Sequence, residues 1–260
     1  MKVISLNVWC GVQGKIFFDY IAGLAATTDI FCFQEVTHAP PGGQDVFHGA
    51  RTHLLAEIKE VLPDFEVLFA PAYQGYCRAE KVDFEISEGL AMFYRNNIEV
   101  SDFGSAYIGG SSQTVINEDF QNEPNKIQWA EFLIGEKSLA VYNVHGMWYP
   151  GEKTDTPERL EQSEKILSCM EGFKGAQLLC GDFNLLPETQ SIHMIEGKYK
   201  NLIKEFNIIS TRNEESWKQY SNVQHFADYT FVSPDVKVKS FEVPYNLVSD
   251  HLPMILDFEI

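Results

Sequence analysis

The chain is poor in positive charge. Its 20 Lys and Arg stand against 37 Asp and Glu, giving a formal net charge of −17. A protein that grips long nucleic acid needs clustered Lys and Arg to displace counterions from phosphates, and no such cluster is advertised. Bound divalent cations would offset some carboxylates, so a local phosphate-binding groove stays compatible with the acidic balance. Cysteine is sparse and odd in number: Cys10, Cys32, Cys77, Cys169 and Cys180 show no CxxC spacing and read as reduced, mostly buried thiols. No run approaches the ~18 apolar residues of a membrane span. Residues 1 to 9 enter a strand-like run without a basic stretch or cleavage site, so a cytoplasmic protein is expected. Short repeats, low-complexity tracts and Ser/Gly linkers are missing, which argues for one domain over residues 1–260 and for a monomer. A Gly-x-Ser-x-Gly elbow is also missing, which removes that hydrolase class.

What is present is a chain of 260 residues with 45% hydrophobic content, enough for one large core. Short runs rich in β-branched and aromatic residues read as strands at Val3–Val8, Ile30–Phe33, Phe65–Phe69, Gly89–Tyr94, Lys126–Ile134, Ser138–Val144 and Ala176–Cys180. Ala227–Val232, Val236–Val243 and Pro253–Phe258 extend the set. Helical patterns lie between them at Ile16–Ala26, Arg51–Val61 and Pro157–Glu171, the last opening with Thr156 as N-cap and Pro157 in its first turn. The mixture suggests two sheets with helices outside. Long loops at Thr37–Gly49, Pro71–Glu88, Gly109–Asn125 and Gly146–Asp155 are of the length that often forms functional rims. The second carries Tyr73, Tyr76, Arg78 and Lys81, and the fourth Trp148, Tyr149 and Lys153. Arg78 and Trp148 are therefore candidate substrate contacts.

Polar residues at the ends of apolar strands are the informative ones, because a buried polar group is costly unless it has a partner or a purpose. Asn7 interrupts the first strand, Glu35 follows the second, and Asn143 and His145 alternate at the end of another. Gly181-Asp182-Phe183-Asn184 follows Cys180, Asp228 opens a strand, and Ser249-Asp250-His251 precedes the last. Carboxylate and amide oxygens suit a hard cation such as Mg²⁺. Hydrolysis of a phosphoester also requires a group to position water and donors for the developing charge. Asp182, Asn184, His145 and His251 are of the right chemical types.

Leu6-Asn7, Gln34-Glu35-Val36, Asn143-Val144-His145, Gly181-Asp182-Phe183-Asn184, Asp228-Tyr229 and Ser249-Asp250-His251 occur in an order that resembles the endonuclease/exonuclease/phosphatase superfamily. The resemblance runs from residue 4 to the C-terminus. It implies an α/β fold, a four-layer α-β-β-α sandwich of two mixed sheets like that of deoxyribonuclease I, with the site in a cleft at one sheet edge. It implies Mg²⁺ or Mn²⁺, with Glu35 as principal carboxylate and Asn7 and Asp250 close to the ion. Asp182 would orient and deprotonate the attacking water with Asn184 helping to hold it, and His145 would donate to a phosphate oxygen. His251, paired with Asp228, would contact the phosphate or act as base; the carboxylate would fix the tautomer and raise the imidazole pKa. Asn143 is a further candidate substrate contact.

Trp9 stands where AP endonucleases of the superfamily carry an acidic or amide residue, which separates this chain from that branch. The expected function is a divalent-metal-dependent phosphoesterase. Its substrate would be either a short or single-stranded nucleic acid or a small phosphorylated metabolite or lipid headgroup. A non-catalytic scaffold with the same fold is the competing class, and intact polar residues at every motif argue against it. Trp217 reads as a core-packing aromatic.

Overall fold

Val3, Ser5 and Asn7 point to one face of the strand Lys2–Asn7 while Ile4 and Leu6 point to the other, and all five are buried. A strand buried on both faces requires a layer on each side. The computed structural model, which describes residues 1–118, 120–219 and 223–260, supplies both. One mixed sheet has the strand order Lys237–Glu242, Met254–Glu259, Lys2–Asn7, Ile30–His38, Ser87–Arg95, Phe65–Gln74. The other runs Lys200–Asn201, Asp228–Val232, Ala176–Asp182, Lys137–His145, Asn125–Ile134, Glu99–Gly109.

The outward residues Ile4, Leu6, Phe31, Phe33, Ala91 and Phe93 pack under the helices Lys15–Ala25 and Leu54–Val61, through Phe17, Ile21, Leu54 and Ile58. Each fully buried Phe there contributes about 1.5–3 kcal/mol. Val3, Ile30, Cys32 and Met92 turn inward and share one core with the second sheet. Beyond that sheet, Ile166 and Met170 of the helix Pro157–Met170 and Ile192 and Ile195 of Gln190–Glu196 complete the same core. The result is the expected α-β-β-α sandwich. Thr156 caps its helix as expected, accepting from the Arg159 N–H at 3.3 Å.

Each sheet has one parallel pair. Lys2–Asn7 lies parallel to Ile30–His38, with Asn7 opposite Gln34; Lys137–His145 lies parallel to Ala176–Asp182, with His145 opposite Asp182. Parallel partners bring their carboxyl ends to one edge, so this pairing gathers Asn7, Glu35, His145 and Asp182 at one end of the sandwich.

The strand Glu99–Gly109 was not anticipated. It is an outer edge strand, half exposed along much of its length, and its sequence EVSDFGSAYIG lacks a clean alternation. The helix expected from Arg51 begins at Leu54, because Ala50–Arg51 pairs with Val46–Phe47 in a short hairpin. Within Pro71–Glu88 the strand runs on to Gln74, and Tyr76–Cys77 pairs with Glu80–Lys81. The Trp217 side chain lies outside the described residues.

Candidate active site

Main-chain geometry at this edge is unusual. Non-glycine residues with positive φ include Trp9, Cys10, Glu35, Arg78, Ala79, Phe120 and Asn184, and all seven line one cleft of about 250 Å³. Such conformations cost free energy and persist where surrounding structure holds them. Glu35 sits in a register break between Phe33 and Val36, a bulge that turns its side chain away from the pleat and into the cleft. Gly181 has φ +137°, and a Cβ there would lie 2.1 Å from the Val144 carbonyl oxygen. Glycine before Asp182 is therefore demanded by the close parallel neighbour as well as by the bend.

Asp182 is the focus. Its Oδ2 accepts from Asn7 Nδ2 at 3.1 Å and lies 3.6 Å from His251 Nε2 and 3.9 Å from His145 Nε2. Its Oδ1 accepts from the Asn184 backbone N–H at 2.9 Å. Burial opposes ionisation, but His251, Lys153, His145 and Arg212 outweigh it and lower the carboxyl pKa to about 2. Asn7 Nδ2 also donates to Glu35 Oε1 at 2.8 Å, and His145 Nε2 lies 3.8 Å from the same oxygen. Asp228 stands behind His251, both of its oxygens 2.9 Å from Nδ1.

The imidazole does not follow the expectation of a raised pKa. Burial first, and the Arg212 guanidinium second, push His251 down to about 4. Burial and the neighbouring Asp182 charge push Asp228 well above the carboxylate range. With Nδ1 held against the Asp228 carboxyl, Nε2 is the ring nitrogen that faces Asp182 and the cleft.

A second acidic group adjoins Glu35. Glu88, 5% exposed, accepts from the Tyr73 hydroxyl at 2.5 Å and from the Cys10 thiol at 3.5 Å. Burial raises its pKa, as it does that of Glu123 across the cleft, where Glu88 and Glu35 add to the effect. Ligand atoms of Cys10, Glu35 and Glu88 lie within 4.8 Å of one another. Burial and the two carboxylates raise the Cys10 thiol pKa. Glu35 and Glu88 supply carboxylate oxygens, the donor type that suits a hard divalent cation.

The structure brings Glu35, His145, Asp182, Asn184, Asp250 and His251 to the cleft wall, with Arg78 and Trp148 on its rim. Asp228 lies behind His251, against its Nδ1. One assignment changes. Asn143 is fully buried and away from the cleft: its Oδ1 accepts from Gln34 Nε2 at 2.7 Å and its Nδ2 donates to the Phe33 carbonyl at 3.0 Å. It joins the two sheets and touches no substrate space, because residue 143 faces inward between the layers. Asn7 turns its Nδ2 to Glu35 and Asp182 and its Oδ1 to the Trp9 N–H at 3.0 Å, which keeps it beside both carboxylates.

Sequence reasoning missed Glu88, Glu123, Cys10 and Arg212 as cleft residues. Arg212 NH2 donates to Asp250 Oδ2 at 2.9 Å, and the short bridge between Arg212 and His251 carries this guanidinium to the histidine. Its only sequence signal is a cation in the polar stretch Thr211-Arg212-Asn213, which looks like any loop. Arg78 stacks over Trp9, 5.0 Å from the ring centroid.

The sequence profile of the endonuclease/exonuclease/phosphatase family matches residues 4–251. No curated protein matches the chain. Among solved structures, an endonuclease/exonuclease/phosphatase from Bacteroides vulgatus superposes with TM-score 0.72 at 18% identity, covering 100% of this chain and 98% of that one. A mannosyl-6-phosphatase from Bacteroides thetaiotaomicron gives TM-score 0.67 at 19% identity, with 100% of each chain covered. The human Nocturnin catalytic domain with bound sulfate gives 0.65 at 18%, covering 100% of this chain and 93% of that one. At these identities the likeness establishes the fold.

Proposed function

The chain belongs to the endonuclease/exonuclease/phosphatase family, and from that membership we propose that it is a divalent-cation-dependent phosphoesterase acting on a small phosphorylated substrate. The observation that carries the reading is the convergence on Asp182 Oδ2 of Asn7, His145 and His251, with Glu35 alongside, from separate strands and loops. Glu35 foremost, with Glu88 beside it, would hold the cation, while Asn7 orients Glu35 and Asp250 keeps Arg212 in place. A bound Mg²⁺ or Mn²⁺ supplies neutralisation of the phosphoryl charge.

Asp182 stays ionised across the working pH range, so its Oδ2 orients water and accepts its proton as the P–O bond to the leaving group breaks. His251 Nε2, His145 and Arg212 face the space where phosphoryl oxygens gain charge. The leaving group falls among Trp9, Tyr73, Phe120 and Trp148, with Arg78 and Glu123 as polar contacts.

The enclosing aromatic rim and the net charge of −17 favour a small substrate over a polymer. Phosphorylated sugars are the first compounds to test, since one relative in fold is named a mannosyl-6-phosphatase. Hydrolysis of p-nitrophenyl phosphate, bis-p-nitrophenyl phosphate and mannose 6-phosphate is compared with Mg²⁺, Mn²⁺ or EDTA. Cation-dependent monoester hydrolysis, absent from His251→Ala, is expected. Activity that survives EDTA or His251→Ala would sink the reading, and a strong diester preference would move the substrate class towards nucleic acid.

A further inference from the structure

Lys153 places an amine where a loop has no packing reason to bury one, and burial, with the Arg212 charge second, lowers its pKa to about 7. It is 6% exposed, its backbone has φ +57°, and its carbonyl accepts from the Leu186 N–H at 2.9 Å. The loop before it is held from inside by Arg159, whose guanidinium donates to the carbonyls of Met147, Trp148, Pro150 and Thr154 at 2.7–3.2 Å. A left-handed lysine docked at both ends of its loop is a conformation the surroundings impose. Its Nζ donates to Asn184 Oδ1 at 2.7 Å.

That contact and the Gly146 carbonyl together decide which way the Asn184 carboxamide faces. A carbonyl oxygen can only accept, so the end of the amide at Gly146 is the nitrogen and the end that accepts from Lys153 Nζ is the oxygen. Asn184 itself is in the left-handed region at φ +53°, and its backbone N–H is committed to Asp182 Oδ1 at 2.9 Å and the Ala227 carbonyl at 3.2 Å. Its Nδ2 donates one N–H to the Gly146 carbonyl at 3.1 Å. A carboxamide has two N–H groups, and this residue lies on the cleft wall, so the second is available there.

We propose that Lys153 is a positioning residue: by donating to Asn184 Oδ1 it fixes the carboxamide with Nδ2 at the cleft, where the remaining N–H donates to a phosphoryl oxygen. Asn184 would then act through a donor N–H, a role distinct from the expected hold on the attacking water. That role rests on the phosphoesterase reading for the identity of the acceptor, but the Lys153–Asn184 coupling stands independently of it.

The test is a double-mutant cycle with Lys153→Met, Asn184→Ala and both together, scored by kcat on the best cation-dependent substrate. Each single variant is expected to lose about 100-fold, the scale of a missing oxyanion donor, and the double variant to be within about twofold of the worse single. Lys153→Gln, which keeps a neutral donor, should recover at least part of the loss. Independent losses that multiply in the double variant would overturn the proposal, as would a wild-type kcat in Lys153→Met. The Asn184 side-chain amide resonances, assigned by their loss in Asn184→Ala and read in cation-free protein, should move in Lys153→Met; unmoved resonances overturn the coupling. If no phosphoester is hydrolysed at all, the functional reading fails while these resonances still decide the role of Lys153. Should Lys153→Met not fold, Asn184→Asp takes its place: it keeps an acceptor for Lys153 but removes the donor, and wild-type kcat in that variant overturns the proposal.

Discussion

Asn143→Ala separates a substrate contact from a bridge between sheets. The side chain is fully buried, and truncation leaves Gln34 Nε2 without its 2.7 Å acceptor and the Phe33 carbonyl without its 3.0 Å donor. Gln34 keeps weaker contacts at 3.2 Å to the Cys32 carbonyl and 3.4 Å to Ser5 Oγ, so only part of its desolvation goes uncompensated. Buried groups left unpaired cost about 1–3 kcal/mol, and the space vacated by the amide adds about 1 kcal/mol as a cavity. A total of about 3 kcal/mol is a large share of the typical 5–15 kcal/mol stability of a domain. Urea unfolding of wild type and variant, with steady-state kinetics below the unfolding transition, gives both numbers on the same preparations. The expected outcome is an equal m-value, a lower midpoint and a kcat/KM within about threefold of wild type, the small loss arising because Gln34 precedes Glu35. An unchanged midpoint with KM raised tenfold or more would refute the bridge and restore Asn143 to the substrate.

Glu35→Gln should raise the Mg²⁺ concentration for half-maximal activity at least about tenfold, measured by titration after chelation; an unaltered titration would remove Glu35 from the ion. Asp182→Asn should abolish turnover and also alter acid stability. Because the folded carboxyl pKa is lowered to about 2, its contribution is present above the unfolded value of about 3.9 and is lost as pH falls through 2. The stability lead of wild type over Asp182→Asn, followed by urea midpoints, should therefore shrink below about pH 4; a lead that grows there contradicts the sign. Hydrolysis of a small ester should change little between about 50 and 200 mM salt, whereas a steep fall would mean that several phosphates are being tracked.

The layers were legible because strands buried on both faces, such as Lys2–Asn7 and Ala176–Asp182, leave short, mostly apolar runs. Glu99–Gly109 was not, because an edge strand with one wet face carries Ser101, Asp102, Gly104 and Ser105 in a pattern that turns share. The short helices Gln190–Glu196, Leu202–Glu205 and Glu214–Gln219 span too few turns for a helical period to stand out. Their starts were nonetheless written locally: Asn201 Oδ1 accepts from the Ile203 N–H at 3.0 Å, a cap that becomes readable once the helix is known.

The site divides along a physical line. Asn7, Glu35, His145 and Asp182 stood out because each is a polar residue where an apolar strand should continue or end, so its presence was itself anomalous. Asn143 met the same criterion for a different reason: the inward pleat at its position faces Gln34 and Gln128 of the facing and neighbouring strands, and a polar bridge between layers leaves the same sequence trace as a catalytic group. Burial and partners distinguish the two, and sequence supplies neither. Lys153, Arg212 and Glu123 are polar residues in polar stretches, where nothing looks out of place until the fold buries them. Burial is what converts those charges into agents: in water each would be solvated, whereas beside Asp182 the cations Lys153 and Arg212 help hold a buried carboxyl ionised against its own desolvation. The residues proposed to carry the chemistry were thus visible from the core outward. Those that tune it depend on loop closure, which for Lys153 means the Arg159 clasp and the Leu186 hydrogen bond acting together.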